Sequence, residues 1–170
     1  MKTIFYKILR KFCLFLINTF LSTTKFFKLK KLLLEISGIS IGENSKIVGP
    51  IKIGTVASLK IGKDCWIGSG LKIYGNGNVV IGDRCDLAPD ISFVTGSHEI
   101  GDSNRRAGKG ISYNIEVSND CWIGARATIV GNIYINNSAI IGTFSLVNKN
   151  VLENTIVAGI PAKVIKVLES

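Results

Sequence analysis

The feature that most constrains the fold is a spacing of six residues between aliphatic or aromatic side chains, which begins near residue 41. The spacing runs through four series: Ile41, Ile47 and Ile53; Ile61, Ile67 and Ile73; Ile81, Leu87 and Phe93; and Val117, Ile123, Ile129, Ile135, Ile141 and Val147. Neither the period of an amphipathic helix nor the alternation of a strand explains a repeat of six. Hexapeptide repetition predicts a parallel β-helix, in which stacked coils share one core.

Breaks in the phase of the repeat indicate about five coils. Three hexapeptides complete one triangular coil, which predicts coils at 41–60, 61–80, 81–116, 117–134 and 135–152. The first two coils carry small corner insertions, whereas the third is so long that it must project a loop, predicted at 94–116. We therefore expect a β-helix domain at 36–152, followed by a C-terminal tail with a short helix at 153–170.

Three of the four cysteines are predicted to be core residues. Cys65, Cys85 and Cys121 share the phase of the small inward residues that lie two positions before the next aliphatic residue. Free cysteine behaves as a small hydrophobic side chain in such a position. No two cysteines have the C-x-x-C spacing of zinc or redox motifs, and the chain has one histidine. We therefore expect no metal site.

Residues 1–35 are predicted to form a separate, basic amphipathic helical segment. Residues 1–34 hold eight Lys or Arg and no acidic residue, whereas the rest of the chain holds 13 basic and 12 acidic residues. The net charge of +9 therefore does not indicate a nucleic-acid surface. Apolar residues recur in the segment at helical spacing, and they are Phe5, Ile8, Leu9, Phe12, Phe15, Leu16 and Phe20.

Two environments fit this helical segment. A helix with one basic and one apolar face suits an anionic membrane interface, and it also suits packing on the domain body or on a neighbouring subunit. The uncharged run between Phe12 and Lys25 is shorter than the roughly 20 residues of a spanning helix, and no signal-peptide cleavage site follows it. We expect peripheral contact of residues 1–34 with the cytoplasmic face of the inner membrane.

The repeat, the long loop with its histidine and the AGIPAKVI ending at 158–165 resemble the hexapeptide-repeat acyltransferases. The DCWIGA segment at 120–125 adds to the likeness, which spans residues 36–168 and is greatest to galactoside and maltose O-acetyltransferases and to polysaccharide and lipopolysaccharide O-acetyltransferases. The resemblance implies a bacterial left-handed parallel β-helix that forms homotrimers. It also implies that acetyl-CoA is the co-substrate and binds between adjacent subunits.

The resemblance also implies roles for individual residues. His98 matches the catalytic general base, a role that suits histidine because it titrates near neutral pH. The backbone N–H of Gly124 or Ala125 would stabilise the oxyanion. The positions that match coenzyme A contacts are Ala125, Thr143, Asn148, Lys149, Lys163 and Lys166.

The group that orients His98 stays open at this point. The galactoside branch has an asparagine in the second coil, but the matching residue here is Gly68. Asp86, Asp90, Glu99 or a backbone carbonyl are the alternatives.

Together these features predict an acetyl-CoA-dependent O-acetyltransferase. Its expected acceptor is a sugar hydroxyl of a surface polysaccharide or lipopolysaccharide, or of a lipid-linked precursor. One alternative is an acetyltransferase for a small soluble acceptor, such as a free sugar, an amino sugar or serine. A second alternative is a non-enzymatic trimeric β-helix scaffold without affinity for coenzyme A.

Overall fold

The computed structural model describes residues 2–169 of the chain, as two helices followed by 19 short strands. Met1 and Ser170, the outermost residues of the predicted N-terminal segment and C-terminal tail, lie outside the described residues. The predicted helical segment consists of α1 (Lys2–Phe20) and α2 (Phe27–Ile36). Within the described residues, neither helix is both long and apolar enough to cross a membrane.

The strands that follow the helices build the first three coils of a solenoid. The first coil comprises β1 (Ser40–Ile41), β2 (Lys46–Ile47) and β3 (Ile51–Ile53). The second coil comprises β4 (Ser58–Ile61), β5 (Trp66–Ile67) and β6 (Leu71–Tyr74). The third coil comprises β7 (Asn78–Ile81), β8 (Asp86–Leu87) and β9 (Ser92–Val94).

An antiparallel hairpin separates the third coil from the rest of the solenoid. It consists of β10 (Gly96–Ile100) and β11 (Ala107–Ser112). The fourth coil comprises β12 (Asn114–Val117), β13 (Trp122–Ile123) and β14 (Thr128–Val130). The fifth coil comprises β15 (Ile133–Ile135), β16 (Ile140–Ile141) and β17 (Leu146–Val147).

Each coil contributes one strand to each of three parallel sheets. Sheet A contains β1, β4, β7, β12 and β15; sheet B contains β2, β5, β8, β13 and β16; and sheet C contains β3, β6, β9, β14 and β17. Equivalent repeat positions pair directly between coils, as Ile41 pairs with Ile61 and Ile61 with Ile81. The predicted parallel β-helix of hexapeptide repeats is therefore confirmed.

The core of the solenoid contains the inward cysteines as predicted. Cys65, Cys85 and Cys121 are each at most 3% exposed, and each thiol lies 3.0–3.1 Å from a backbone carbonyl of the following coil. Hydrogen bonding with the Cys121 thiol and burial raise the pKa of Cys85 to about 12, against an opposing effect of Cys65. These thiols are structural groups that fill a narrow column of the core.

The excursion of the third coil is shorter than predicted. It runs from Thr95 to Tyr113, so residues 114–116, which were expected in the loop, belong to β12. The reason is the alternation of Ile115 and Val117, which are both 1% exposed and continue the core. Because these side chains are buried, the chain rejoins sheet A in β12, before the hexapeptide repeat resumes at Val117.

The predicted C-terminal helix is wrong, because this segment forms a β-hairpin. The hairpin consists of β18 (Thr155–Gly159) and β19 (Ala162–Val167). β18 pairs in parallel with β16 and adds a sixth layer to sheet B, which satisfies an edge that the fifth coil would otherwise leave open. Three of the six residues of β19 are β-branched, which favours a strand over a helix.

The two helices cover the opposite, N-terminal end of the solenoid. Leu14 and Ile17 of α1 and Leu34 of α2 are buried in the same core cluster as the first coil. The Asn18 side chain donates a hydrogen bond to the carbonyl oxygen of Ile51 and accepts one from its N–H, both at 2.8 Å. Asn18 thus replaces the neighbouring strand that β3 lacks on this side. One face of the segment therefore packs on the domain body.

Candidate active site

His98 lies on the first strand of the hairpin, where the chain leaves the third coil. Its backbone position pairs with Gly110 across the hairpin, and its side chain is exposed. Thr95 fixes the base of the hairpin, because its buried hydroxyl donates to the Tyr74 carbonyl at 3.0 Å and accepts from the Gly77 N–H at 3.1 Å. The imidazole is therefore presented to solvent from an anchored hairpin.

A cavity of about 440 Å³ separates the hairpin from the corner of the second coil. Its lining residues are Tyr74, Gly75, Asn76, Gly96, Ser97, His98, Gly110, Ile111 and Ser112. The corner and the hairpin approach closely at Gly75, where a Cβ atom would lie 2.5 Å from the Gly96 nitrogen. The cavity thus has one catalytic candidate and several hydroxyl and amide groups around it.

Sequence reasoning missed Asn76 and Tyr74 as residues that share this cavity with His98. The signal that could have found them is the corner insertion between Ile73 and Ile81, which makes this corner longer than a regular one. The insertion places Asn76 against the base of the loop that the next coil projects.

Two of the three carboxylates considered as orienting groups for His98 lie elsewhere. Asp90 Oδ1 is 2.6 Å from Lys72 Nζ, and this hydrogen bond lowers the pKa of the Asp90 carboxyl. Asp86 belongs to β8 on the outer face of sheet B. Neither residue lines the His98 cavity, whereas Glu99 adjoins His98 in β10. The His98 side chain is exposed and takes part in none of the four ion pairs among the described residues.

Of the two predicted oxyanion donors, only Ala125 has an available N–H group. The Gly124 N–H donates to the carbonyl of Ile141 at 2.7 Å and so belongs to the ladder between coils. The Ala125 N–H, at a half-buried corner, has no acceptor among residues 2–169. We therefore retain Ala125 and discard Gly124 as the donor.

A single subunit does not bring His98 and Ala125 to the same edge of the solenoid. Ala125 lies at the corner between sheets B and C, whereas the hairpin with His98 leaves the corner between sheets C and A. One hexapeptide, about 20 Å when extended, separates these corners. A site that contains both groups is therefore expected between subunits, in agreement with the arrangement that the resemblance implies.

Two of the predicted coenzyme A contacts share the corner between sheets B and C. Thr143 lies in the fifth coil directly above Ala125, since Ile123 pairs with Ile141 in the strands that precede them. The N–H of Phe144 donates to the Ala125 carbonyl at 2.9 Å and holds the two corners together. Ala125 and Thr143 thus form a continuous strip along this edge.

Three other predicted coenzyme A contacts meet at the C-terminal end of the solenoid. Asn148, Lys149 and Lys163 line one cavity of about 290 Å³, to which the C-terminal hairpin contributes Lys163. Both lysines are exposed, and a lysine ammonium is a flexible point charge for phosphate. Lys166 lies outside this cavity, opposite Ile156 on the hairpin. Among the described residues, no cluster of three potential metal-ligating side chains occurs.

The geometry defines a hexapeptide-repeat β-solenoid with a histidine-bearing hairpin, and comparisons with known proteins agree with this class. No protein-family model matches the chain. The galactoside O-acetyltransferase of Escherichia coli (strain K12) is 28% identical over 127 residues, which are 75% of this chain and 63% of the relative. A chloramphenicol acetyltransferase of Morganella morganii is 37% identical over 134 residues, 76% of this chain and 60% of the relative. The chain thus spans less than two thirds of either relative.

Another relative and two solved proteins extend this likeness. A protein of Escherichia coli (strain K12) named as a colanic acid biosynthesis acetyltransferase is 26% identical over 143 residues, 82% of this chain and 75% of the relative. The crystal structure of a hexapeptide-repeat acetyltransferase from Vibrio cholerae has a TM-score of 0.85 at 22% identity, with 100% and 94% of the two chains covered. Galactoside acetyltransferase in complex with coenzyme A has a TM-score of 0.73 at 20% identity, with 98% and 82% covered. The chain is therefore similar in sequence to these acetyltransferases and shares the fold of the hexapeptide-repeat acetyltransferases.

Proposed function

We propose that this protein is an acetyl-CoA-dependent O-acetyltransferase with His98 as its general base. The observation that carries the proposal is the position of this histidine on an anchored hairpin, beside a cavity of about 440 Å³ with several polar groups. Its relatives are named acetyltransferases, and the Vibrio cholerae protein was also solved in complex with acetyl coenzyme A, at a TM-score of 0.81.

The proposed reaction needs a base because a sugar hydroxyl is a weak nucleophile near neutral pH. Neutral His98 accepts the proton of the acceptor hydroxyl while the hydroxyl oxygen attacks the thioester carbon of acetyl-CoA. The Ala125 N–H of a neighbouring subunit donates to the oxyanion that develops on the carbonyl oxygen. The carbon–sulfur bond then breaks, and the protonated histidine returns the proton to the departing thiolate.

The proposed co-substrate site combines the strip of Ala125 and Thr143 with the C-terminal cavity. The strip suits the pantetheine arm, because it presents small side chains and backbone groups along one edge. Lys149 and Lys163 suit the phosphates of the nucleotide end. This assignment agrees with the resemblance and with the exposure of both lysines.

As the acceptor we propose a glycan hydroxyl of a surface polysaccharide or its lipid-linked precursor. The relative named for colanic acid biosynthesis, of which the chain covers 75%, supports this class. The chloramphenicol acetyltransferase, at 37% identity, favours the alternative of a small soluble acceptor. The two acceptor classes differ in size and attachment, so a direct assay separates them.

The test is transfer of a labelled acetyl group from acetyl-CoA to an extracted lipid-linked glycan, compared with transfer to free sugars and chloramphenicol. We expect transfer to the glycan, with release of free coenzyme A. His98→Asn should lower kcat by about 10²–10⁴-fold, because it removes the base and leaves the hairpin intact. The matched control is Lys109→Gln, which changes an exposed residue on the other strand of the hairpin, outside the His98 cavity, and should retain activity.

Each remaining result has a defined meaning. Transfer to free sugars or chloramphenicol alone would replace the glycan acceptor by a soluble one. Undiminished transfer by His98→Asn would remove this residue from the mechanism. Absence of coenzyme A binding by calorimetry, in a folded trimer, would favour the scaffold alternative.

A further inference from the structure

Helix α1 has a second apolar face, on the side that does not pack on the solenoid. Its packed face contains Cys13, Leu14 and Ile17, each at most 8% exposed. The opposite face, here called the exposed α1 face, has side chains that are 56–65% exposed, and these are Ile4, Phe5, Ile8, Phe12 and Phe15. A helix that only capped the first coil would require the packed face alone.

The exposed α1 face is a continuous stripe. At 100° per residue its five side chains fall within an arc of about 100°, which is the width of a typical buried helix face. The helix has 19 residues and is therefore about 28 Å long. Scattered exposed apolar residues need no partner, but a contiguous stripe with three phenylalanines indicates an interaction surface.

The charged residues of α1 are all basic, and the two helices together carry one acidic residue, Glu35. Lys7 and Lys11 are exposed on α1, and Lys25 and Lys28 are exposed in the connection and in α2. Among the described residues, the only ion pair made by a lysine or arginine of the two helices joins Lys31 to Glu35, at 3.8 Å. A partner that complements the exposed α1 face therefore combines an apolar surface with adjacent negative charge.

We propose that the exposed α1 face inserts into the interface of an anionic lipid bilayer, with α1 parallel to the membrane plane. Phenylalanine and isoleucine side chains enter the boundary between headgroups and acyl chains, while the lysines contact anionic headgroups. The packed face of the same helix stays on the first coil, so the solenoid is held at the membrane by its N-terminal end.

A second copy of the chain is a poorer partner by charge. The helices of another subunit carry the same positive charge, and residues 35–170 hold 13 basic against 12 acidic residues, which gives no net negative surface. An anionic bilayer provides both the apolar phase and the opposite charge. Binding of α1 to lipid would not require acetyl transfer.

The test is flotation of the full-length protein with two kinds of vesicle, one of phosphatidylcholine and one in which about a third of the lipid is phosphatidylglycerol. We expect flotation with the anionic vesicles and much less with the neutral ones. Raised salt should release the protein, since exposed charges are screened. Lys7→Gln with Lys11→Gln should weaken binding by about fivefold for each lysine.

The apolar contribution is tested by the triple variant Phe5→Gln, Phe12→Gln and Phe15→Gln, in which glutamine preserves helix propensity. This variant should bind the anionic vesicles at least about a hundredfold more weakly. The matched control replaces exposed apolar residues of the solenoid, as Val56→Gln, Leu152→Gln and Val167→Gln, and should bind like the wild type. Circular dichroism and light scattering report fold and oligomeric state for each variant.

Three results would overturn the proposal. The first is failure of the wild-type protein to float with anionic vesicles. The second is equal flotation of the triple variant and the wild type. The third is a change of oligomeric state in the triple variant alone, which would make the exposed α1 face a contact between subunits.

Discussion

The backbone N–H of Ala125 is the candidate oxyanion donor because the neighbouring N–H is already hydrogen-bonded. The N–H of the preceding residue, Gly124, is used between coils, whereas that of Ala125 is available at the corner. The equivalent corner position one coil earlier is Pro89. Ile123 pairs with Leu87, and these two residues lie two positions before Ala125 and Pro89. This corner therefore accepts proline without loss of a bond within the solenoid.

This equivalence provides a test at the scale of one atom. Ala125→Pro removes the N–H that is the proposed oxyanion donor. The corner should tolerate proline, because the equivalent position of the third coil is Pro89. We expect kcat to fall by about 10²–10³-fold, because a positioned donor contributes about this much to acyl transfer. Ala125→Ser retains the N–H and is the matched control in steady-state assays. Equal kcat values for the two variants would show that the oxyanion is stabilised elsewhere.

Among the secondary-structure elements, different ones cover the two ends of the solenoid. The C-terminal end gains a strand pair, β18 and β19, and the N-terminal end is covered by α1. Both solutions satisfy the backbone groups of a terminal coil that would otherwise face water or another chain. At the N-terminal end this depends on side chains, among them Asn18 and Arg10, whose guanidinium donates to the carbonyls of Ser37, Gly54 and Ala57.

The cap provided by α1 can be tested through Asn18. Asn18→Ala leaves the N–H and carbonyl of Ile51 without their partner, so we expect the free energy of unfolding to fall by about 1–3 kcal/mol. Thr19→Ala, at an exposed position of the same helix, should change it by less than about 0.5 kcal/mol. The measurement is urea unfolding at one protein concentration, because assembly would shift apparent stability. Equal stability of the two variants would mean that water replaces the bond.

At the scale of the whole molecule, the candidate catalytic groups lie on different edges of one solenoid. His98 projects at the corner between sheets C and A, and Ala125 lies at the corner between sheets B and C. The fold repeats the same corners in every coil, so only loops and single residues distinguish them. Assembly around a threefold axis would bring different corners of adjacent subunits together. Activity should therefore belong to the assembly.

Subunit mixing tests this arrangement. His98→Asn and Ala125→Pro are each expected to have strongly reduced kcat. Co-expressed in equal amounts, they should restore about one functional site in four over all trimers, or about one in three within mixed trimers. The reason is that some interfaces then combine an intact His98 from one subunit with an intact Ala125 from the next. Separately purified and pooled homotrimers are the control. Mixed trimers without activity would place both groups in one subunit.

The solenoid can be predicted from the amino-acid sequence, because the pattern that specifies it is local and repeated. Every sixth position needs an apolar side chain to fill the same core, and the phase of Cys65, Cys85 and Cys121 followed from the same rule. The repeat, the long loop and the AGIPAKVI ending carry the resemblance to the hexapeptide-repeat acyltransferases, and His98 is the one histidine in the sequence.

The parts of the molecule outside the repeat depend on contacts between segments that are distant in the sequence. The C-terminal hairpin docks on the open edge of β16, and the β-branched residues of β19 favour a strand without specifying this edge. Asn76 shares a cavity with His98 because a corner of one coil meets the hairpin of the next. The division of α1 into a packed and an exposed apolar face depends on which side meets the first coil. Each of these contacts joins segments that are distant in the sequence. They form only when the coils stack, so local sequence patterns do not predict them.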